Sequence, residues 1–197
     1  TMNLMSSFPH LVKLNEMCNR YGFDTISAGV TTSFAVECFE NGILTSADTD
    51  GLQLAWGEGD ALLSLLEMMA YRQGIGDVLA DGVKVAAEKI GKGSEQYAMH
   101  IGGEEVPMHD PKYEPGLAPT YKLDATPARH TQGGELVAPP DVDPPEEYSK
   151  HDYDTHADWH KYLVDAVHVV NCAGVCLFAW CSYPHTFIPD FMESVCG

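Results

Sequence analysis

Two short stretches of the sequence share one pattern: Asn, then Gly three residues later, then an apolar residue and a side chain able to bind a ligand. The first is Asn19–Asp24 and the second is Asn171–Cys176. Each follows a segment with helical spacing, and glycine there permits the left-handed turn that ends a helix. The pattern predicts two turns that direct Asp24 and Cys176 away from the helix axes. Such turns are either two parts of one binding site that face each other or two ordinary glycine caps.

Charge and composition exclude several classes of partner. Lys and Arg number 11 against 29 Asp and Glu, a net charge of −18, which argues against nucleic acid and anionic membrane surfaces. No apolar run approaches the ~20 residues of a membrane span, so we expect no membrane partner. Six cysteines in 197 residues do not suggest a disulfide scaffold, which favours a reducing, cytoplasmic location.

Apolar residues at helical spacing predict a mainly α fold, with glycine or a polar cap at most helix ends. The predicted helices run from Ser7 to Gly22, from Asp24 or Thr25 to Gly42, from Asp60 to Gln73, from Asp77 to Gly91 and from Thr155 to Val170.

Short extended pieces are predicted between these helices. Alternation in Leu52–Trp56 and in Tyr97–Ile101 predicts two short strands, which are candidates for pairing with each other. Between Gly102 and Pro145 the pattern predicts no helix. Long stretches of this kind are usually functional or disordered, and its aromatic residues favour an ordered loop. The part most like a linker is Gly133–Pro145.

Four cysteines near the C-terminus allow an iron–sulfur interpretation. They are Cys172, Cys176, Cys181 and Cys196. Their spacing matches neither common ferredoxin pattern, so we expect at most one of them to be a ligand. The remaining thiolates of a cluster would then come from outside this chain.

Taken together, these residues resemble the C-terminal region of the tungsten-containing aldehyde:ferredoxin oxidoreductase family. The two Asn-x-x-Gly stretches are similar to the family's two Asp-x-x-Gly-Leu-Asp/Cys motifs, which bind the two pterins of a bis-pterin (molybdopterin-type) tungsten cofactor. Leu14–Ser27, Ala70–Val83 and Tyr97–Pro111 resemble further family segments in the same order. The resemblance implies helical subdomains over residues 1–100 and 101–197, with the cofactor along their junction.

The resemblance also implies roles for the residues of the two motifs. Asp24 would accept hydrogen bonds from the amino group and ring N–H of a pterin, with the backbone of Phe23 beside it. Cys176 would be a thiolate ligand of a [4Fe–4S] cluster, and Leu177 would touch the neighbouring pterin.

The chain departs from the family pattern at three other positions. Asn19 and Asn171 stand where the family usually has Asp. In the loop Asp124–His130, His130 directly follows Arg129, whereas the family has its His a few residues later. We expect His130 to be the catalytic residue that removes a proton as water adds to an aldehyde carbon. The alternative is that His130 only orders the loop.

The function implied by the resemblance is oxidation of aldehydes to carboxylic acids, with electrons passing through the cluster to ferredoxin. In the family an N-terminal β domain and three more cluster cysteines precede the first motif, and here only eighteen residues do. We therefore expect a fragment that is inactive alone, without tungsten or cluster, whose open junction favours association into a homo-oligomer. Molybdenum in place of tungsten stays open.

Two alternatives to aldehyde oxidation also remain open. One is a relative that reduces aromatic thioesters of the benzoyl-CoA type with the same cofactor. The other is a non-enzymatic helical module that has lost the metal.

Overall fold

The structure is a computed structural model that describes residues 2–131 and 138–197. The chain forms two compact units, Thr1–Met108 and His109–Gly197, which divide a few residues beyond the boundary expected at residue 100. Both are mainly helical, as predicted. The α-helices of the described part are α1 Phe8–Tyr21, α2 Thr25–Glu40, α3 Gly59–Tyr71, α4 Ile75–Leu79, α5 Val83–Ile90, α6 Leu117–Leu123, α7 Tyr153–Cys172, α8 Leu177–Trp180 and α9 Phe187–Cys196.

The core of the first unit forms around α2 and α3, which carry many of its buried apolar residues. α3 packs against α1 and α4, and α2 contacts α1, α3 and α5. Phe34 of α2 and Leu62 and Leu65 of α3 are almost completely buried. The dense leucines of α3 therefore pack in the core, as expected for a helix that is apolar on most of its surface.

The predicted helix Asp77–Gly91 is wrong, because the structure has two helices there, α4 and α5. Gly82 adopts φ 84° and ψ 164°, which no helix contains. The buried carboxylate of Glu105 accepts a hydrogen bond from the Val83 N–H at 2.9 Å and so caps α5. A Cβ at Gly82 would lie 2.8 Å from Glu105 Oε1. This partner lies 22 residues further along the chain, so local periodicity could not reveal the break.

Of the two predicted strands, Leu52–Trp56 was wrong, and Tyr97–Ile101 was right only in its last two residues, which pair with a different segment. Leu52–Trp56 has no strand. Instead β1, His100–Ile101, pairs antiparallel with β2, Glu104–Glu105. Gly102 and Gly103 between them have φ 67° and 109°, and two residues of positive φ suit a two-residue hairpin loop.

Helix α6 lies inside the stretch Gly102–Pro145, where the sequence predicted none. It has only seven residues, too short for a periodic signal, and packing holds it in place. Leu117 and Tyr121 of α6 are completely buried, and the Tyr121 hydroxyl donates to the His109 carbonyl at 2.9 Å. The first residues of the linker-like Gly133–Pro145, 133–137, lie outside the described residues.

The second unit packs its C-terminal helices around α7. This helix begins at Tyr153 with Asp152 as its cap, whose side chain accepts from the Asp154 N–H, rather than at the predicted Thr155. Val167 and Val170 of α7 form a buried cluster with Trp180 and Ile188. No helix in the described part of the chain is long and apolar enough to cross a bilayer.

Candidate functional site

The first turn joins α1 to α2. Gly22 has φ 76°, the left-handed conformation that the sequence predicted. The Phe23 N–H reaches back to the Cys18 carbonyl at 2.8 Å, a bond that closes the end of a helix around a left-handed glycine. Asp24 follows with φ −64° and ψ 129° and starts α2.

The second turn joins α7 to α8 and repeats this geometry. Gly174 has φ 70°, and the Val175 N–H donates to the Val170 carbonyl at 3.2 Å, again five residues back. Cys176 follows with φ −63° and ψ 126° and starts α8. The predicted pair of helix-ending turns is therefore confirmed, each within its own unit.

Each turn fixes an apolar residue and exposes a polar one. Phe23 packs against the core of the first unit, and Leu177 packs against the buried cluster of the second. Asp24 and Cys176 are both exposed. The apolar neighbours hold the backbone while the carboxylate and the thiol stay accessible.

The two exposed side chains differ in what they do for the helix that follows. Asp24 Oδ2 accepts a hydrogen bond from the Ser27 N–H at 2.8 Å, a normal helix cap. Cys176 makes no such capping bond to α8, and a thiol is a weak acceptor. The start of α8 therefore gives no local reason for a cysteine at this position.

The asparagines of both turns use their amide groups as donors. Asn19 Nδ2 donates to the Asn15 carbonyl at 2.8 Å, and Asn171 Nδ2 donates to the Thr131 carbonyl at 3.0 Å. An aspartate could make neither bond, which gives a physical reason for Asn at these positions. The Asn171 bond also joins the second turn to the residue that follows His130, so the structure brings these two predicted site elements together.

The loop that carries His130 is tightly held before it reaches that residue. Asp124 Oδ1 accepts from the Thr126 N–H at 3.2 Å. Ala128 is completely buried with φ 58°, an uncommon conformation for a residue with a Cβ. Its N–H donates to the Tyr121 carbonyl at 3.1 Å. Such strain persists only where surrounding structure enforces it.

His130 is half-buried, and its Nδ1 is a buried atom that has no hydrogen-bond partner among the described residues. Burial lowers the pKa of His130 below its ordinary value, and the nearby His109 and Arg129 lower it further. A lowered pKa keeps the imidazole neutral at neutral pH, so that it can accept a proton.

His109 is a neighbour of His130 that the sequence did not single out. The centroids of the two rings lie 4.5 Å apart, with 43° between the ring planes. The only sequence signal is a histidine directly before Asp110-Pro111 in one of the family-like segments. Nothing local indicates that it meets a residue twenty-one positions further on.

Residues 2–131 and 138–197 contain no group of three or more His, Cys, Asp or Glu side chains that could hold a metal ion. The cysteines of the predicted cluster are free thiols, with Cys172 and Cys176 both exposed. An exposed thiol fits a single bond to iron, and an exposed carboxylate fits paired N–H donors. The residues present therefore fit the implied groups as single contributors rather than as complete sites.

Residues 1–197 match a family model described as aldehyde ferredoxin oxidoreductase, domains 2 and 3. The chain belongs to the aldehyde ferredoxin oxidoreductase family. Its mainly helical fold agrees with that assignment. The resemblance that rested on the two turns and three further segments is thereby confirmed.

Relatives include enzymes with different named activities. A tungsten-containing aldehyde ferredoxin oxidoreductase of Thermococcus kodakarensis is 29% identical over 170 residues, which cover 85% of this chain and 28% of the relative. An aliphatic sulfonate oxidoreductase, WOR-like subunit, of Pyrococcus furiosus is 36% identical over 129 residues, which cover 64% of this chain and 20% of the relative.

A solved structure is also similar. The active-site complex BamBC of benzoyl coenzyme A reductase with 1,5-dienoyl-CoA matches with a TM-score of 0.52 and 31% identity, covering 66% of this chain and 20% of that chain. The chain thus spans between a fifth and about a quarter of these proteins. The family is one of oxidoreductases, and its tungsten-containing members include the relative from Thermococcus.

Proposed function

We propose that this chain is the part of a tungsten-containing oxidoreductase that supplies one carboxylate contact to a bis-pterin cofactor and one thiolate ligand to a [4Fe–4S] cluster. The observation that carries this proposal is Cys176. It starts a helix without capping it, in a turn whose backbone matches that of Asp24 within a few degrees. A role in binding explains a residue that local structure does not require.

Asp24 suits recognition of a pterin edge. A pterin presents an amino group and a ring N–H side by side, and a carboxylate can accept from two adjacent donors through its two oxygens. Phe23 anchors the backbone next to it. In the second turn, Leu177 offers an apolar contact to a neighbouring pterin. Asn19 and Asn171 would contribute their amide oxygens and one remaining N–H each, since one N–H of each amide already bonds to a carbonyl.

The reaction that we propose is oxidation of an aldehyde. RCHO and H₂O give RCOOH, two protons and two electrons. When bound, the tungsten cofactor would supply the two-electron acceptor, and a neighbouring [4Fe–4S] cluster would supply a route for the electrons to ferredoxin. His130 accepts a proton from the water as the oxygen bonds to the aldehyde carbon. Its lowered pKa favours this role, because a neutral imidazole is needed to accept a proton.

A second candidate is reduction of an aromatic CoA thioester, in which two electrons and two protons are added to the ring. The similarity to the benzoyl coenzyme A reductase complex favours this function. In that direction His130 would have to donate a proton. The lowered pKa of His130 favours the neutral imidazole, which is the form that the aldehyde reaction would use.

The test uses the complete enzyme, purified without oxygen together with the rest of its polypeptide or its partner subunits. We expect tungsten and iron by elemental analysis, and aldehyde-dependent reduction of a viologen dye. Activity with an aromatic CoA thioester alone would favour the second candidate. Absence of both activities and of tungsten would leave the non-enzymatic module.

The 197-residue chain by itself provides a further test of the same proposal. We expect it to contain neither stoichiometric tungsten nor iron, because one thiolate does not complete a cluster. The result that would contradict this expectation is tungsten and about four iron atoms per chain. The chain would then bind the tungsten cofactor and the cluster without cysteines from outside it.

A further inference from the structure

We propose that His109 is a positioning residue for His130, which packs against the half-buried imidazole and fixes it in place. This inference rests on the proposed role of His130 as the proton acceptor. It concerns a residue that the resemblance to the family does not single out. Four features of the second unit support it.

The first feature is direct contact between the rings. A centroid separation of 4.5 Å lies in the range of packed aromatic pairs. The pair is asymmetric in exposure, because His109 is exposed while the Nδ1 atom of His130 is buried. The outer ring therefore covers the inner one.

The second feature is that one residue, Tyr121, holds both sides of the pair. Its hydroxyl donates to the His109 carbonyl at 2.9 Å, and its own carbonyl accepts from the Ala128 N–H, two residues before His130. Tyr121 is completely buried. Burial, with a smaller effect of Asp110, raises the pKa of Tyr121 to about 12, so the hydroxyl keeps its proton and remains a donor.

The third feature is the strained backbone between them. Ala128, with φ 58° and no exposed surface, turns the chain so that His130 follows directly. A left-handed conformation is unfavourable at a residue with a Cβ and persists only where the surrounding structure enforces it. The backbone two residues before the half-buried imidazole of His130 is therefore held in a defined conformation.

The fourth feature is charge. Among the described residues, the groups that act on His130 besides burial are His109 and Arg129. A proton on one imidazole disfavours a proton on the other, because like charges this close repel. His109 therefore disfavours the protonated form of His130.

The test is a pair of variants, His109→Phe and His109→Gln, in the full chain. His109→Phe keeps an aromatic ring against His130 and removes the titratable group, while His109→Gln removes the ring as well. The matched control is His151→Phe, an exposed histidine of the same unit. NMR titration of chain labelled with ¹³C at histidine Cε1 reports the pKa of each histidine, and a His130→Gln variant assigns the His130 signal.

We expect the pKa of His130 to lie below its ordinary value in the unmodified chain and to rise in both His109 variants, by roughly one pH unit or less. His151→Phe should not move it. A His130 that titrates at its ordinary value, or one that does not respond to either His109 variant, would overturn the inference whatever the enzyme does.

The pH dependence of the enzyme's activity distinguishes this inference from the proposed function of His130. Since the proton acceptor works in its neutral form, a higher pKa moves the acid side of the pH–rate profile of the complete enzyme to higher pH. If the His130 signal shifts and the profile does not, His109 acts on His130 but His130 is not the proton acceptor. If both shift together, the inference and the role of His130 stand.

Discussion

The two turns have nearly the same backbone but different side chains at the position that starts the next helix. Asp24 and Cys176 agree to 1° in φ and 3° in ψ, and the glycines before them to 6° in φ. Yet Asp24 caps the sixteen-residue α2, whereas Cys176 precedes the four-residue α8 without capping it. The shared backbone presents a side chain to solvent, and the chemistry of that side chain decides what each turn can bind.

The comparison of the two turns distinguishes side chains that stabilise a helix from side chains that only bind a ligand. In the first turn the carboxylate caps the helix and is also exposed to solvent. In the second turn the thiol contributes no capping bond, so its removal should leave the helix start unchanged while any bond to iron is lost. Variants at equivalent positions of the two turns should therefore differ in a defined way.

The largest expected change in stability follows substitution of the glycines. Gly22→Ala and Gly174→Ala each place a Cβ in a left-handed conformation, at a cost of about 1–2 kcal/mol. No described atom lies within 4 Å of either Cβ, so the two costs should be similar. Chemical denaturation followed by circular dichroism measures them. Gly22→Asn and Gly174→Asn are the controls, since Asn tolerates this conformation. A loss of stability in only one of the two alanine variants would contradict the equivalence of the two turns.

A smaller change is expected from Asp24. Asp24→Ala removes the bond to the Ser27 N–H and should lower the free energy of unfolding by about 1 kcal/mol. Asp24→Asn keeps an acceptor for the cap and should be close to neutral. In the complete enzyme, however, Asp24→Asn should lower the tungsten content, because an amide pairs poorly with two adjacent donors. If Asp24→Asn retains its full tungsten content, the Asp24 carboxylate is not needed for the pterin contact.

The smallest change in stability is expected from Cys176→Ser. Serine is a preferred residue at a helix start, and α8 has no cap to lose, so the free energy of unfolding should stay the same or rise by about 0.5 kcal/mol. Thermal unfolding of the chain provides the measurement. A clear loss of stability would mean that the thiol has a structural partner, and the contrast with Asp24 would fail.

Features encoded within a few residues could be predicted from the sequence. Both turns were, because a left-handed glycine after a helical segment is a local signal, and so were the approximate limits of α1, α2 and α3. The resemblance to the family also rested on short local patterns, and the family assignment is now shown. The roles of Asp24, Cys176 and His130 remain predictions.

Features that depend on distant partners could not be predicted. Gly82 breaks a helix because Glu105 caps the next one, and Tyr121 of α6 is completely buried and bonds to the distant His109 carbonyl. The approach of His109 to His130 depends on the same buried tyrosine. In each case the deciding contact joins residues that are separated by many positions, and one sequence contains no signal for it.

The central claim, that Cys176 is a ligand of an iron–sulfur cluster, is tested most directly by the iron content of the complete enzyme. The variants are Cys176→Ala and its control Cys172→Ala, an exposed cysteine at the end of α7 in the same segment. We predict that Cys176→Ala loses the iron of one cluster, about four atoms per polypeptide, with unchanged helix content, and that Cys172→Ala retains it. Full iron in Cys176→Ala would contradict the account.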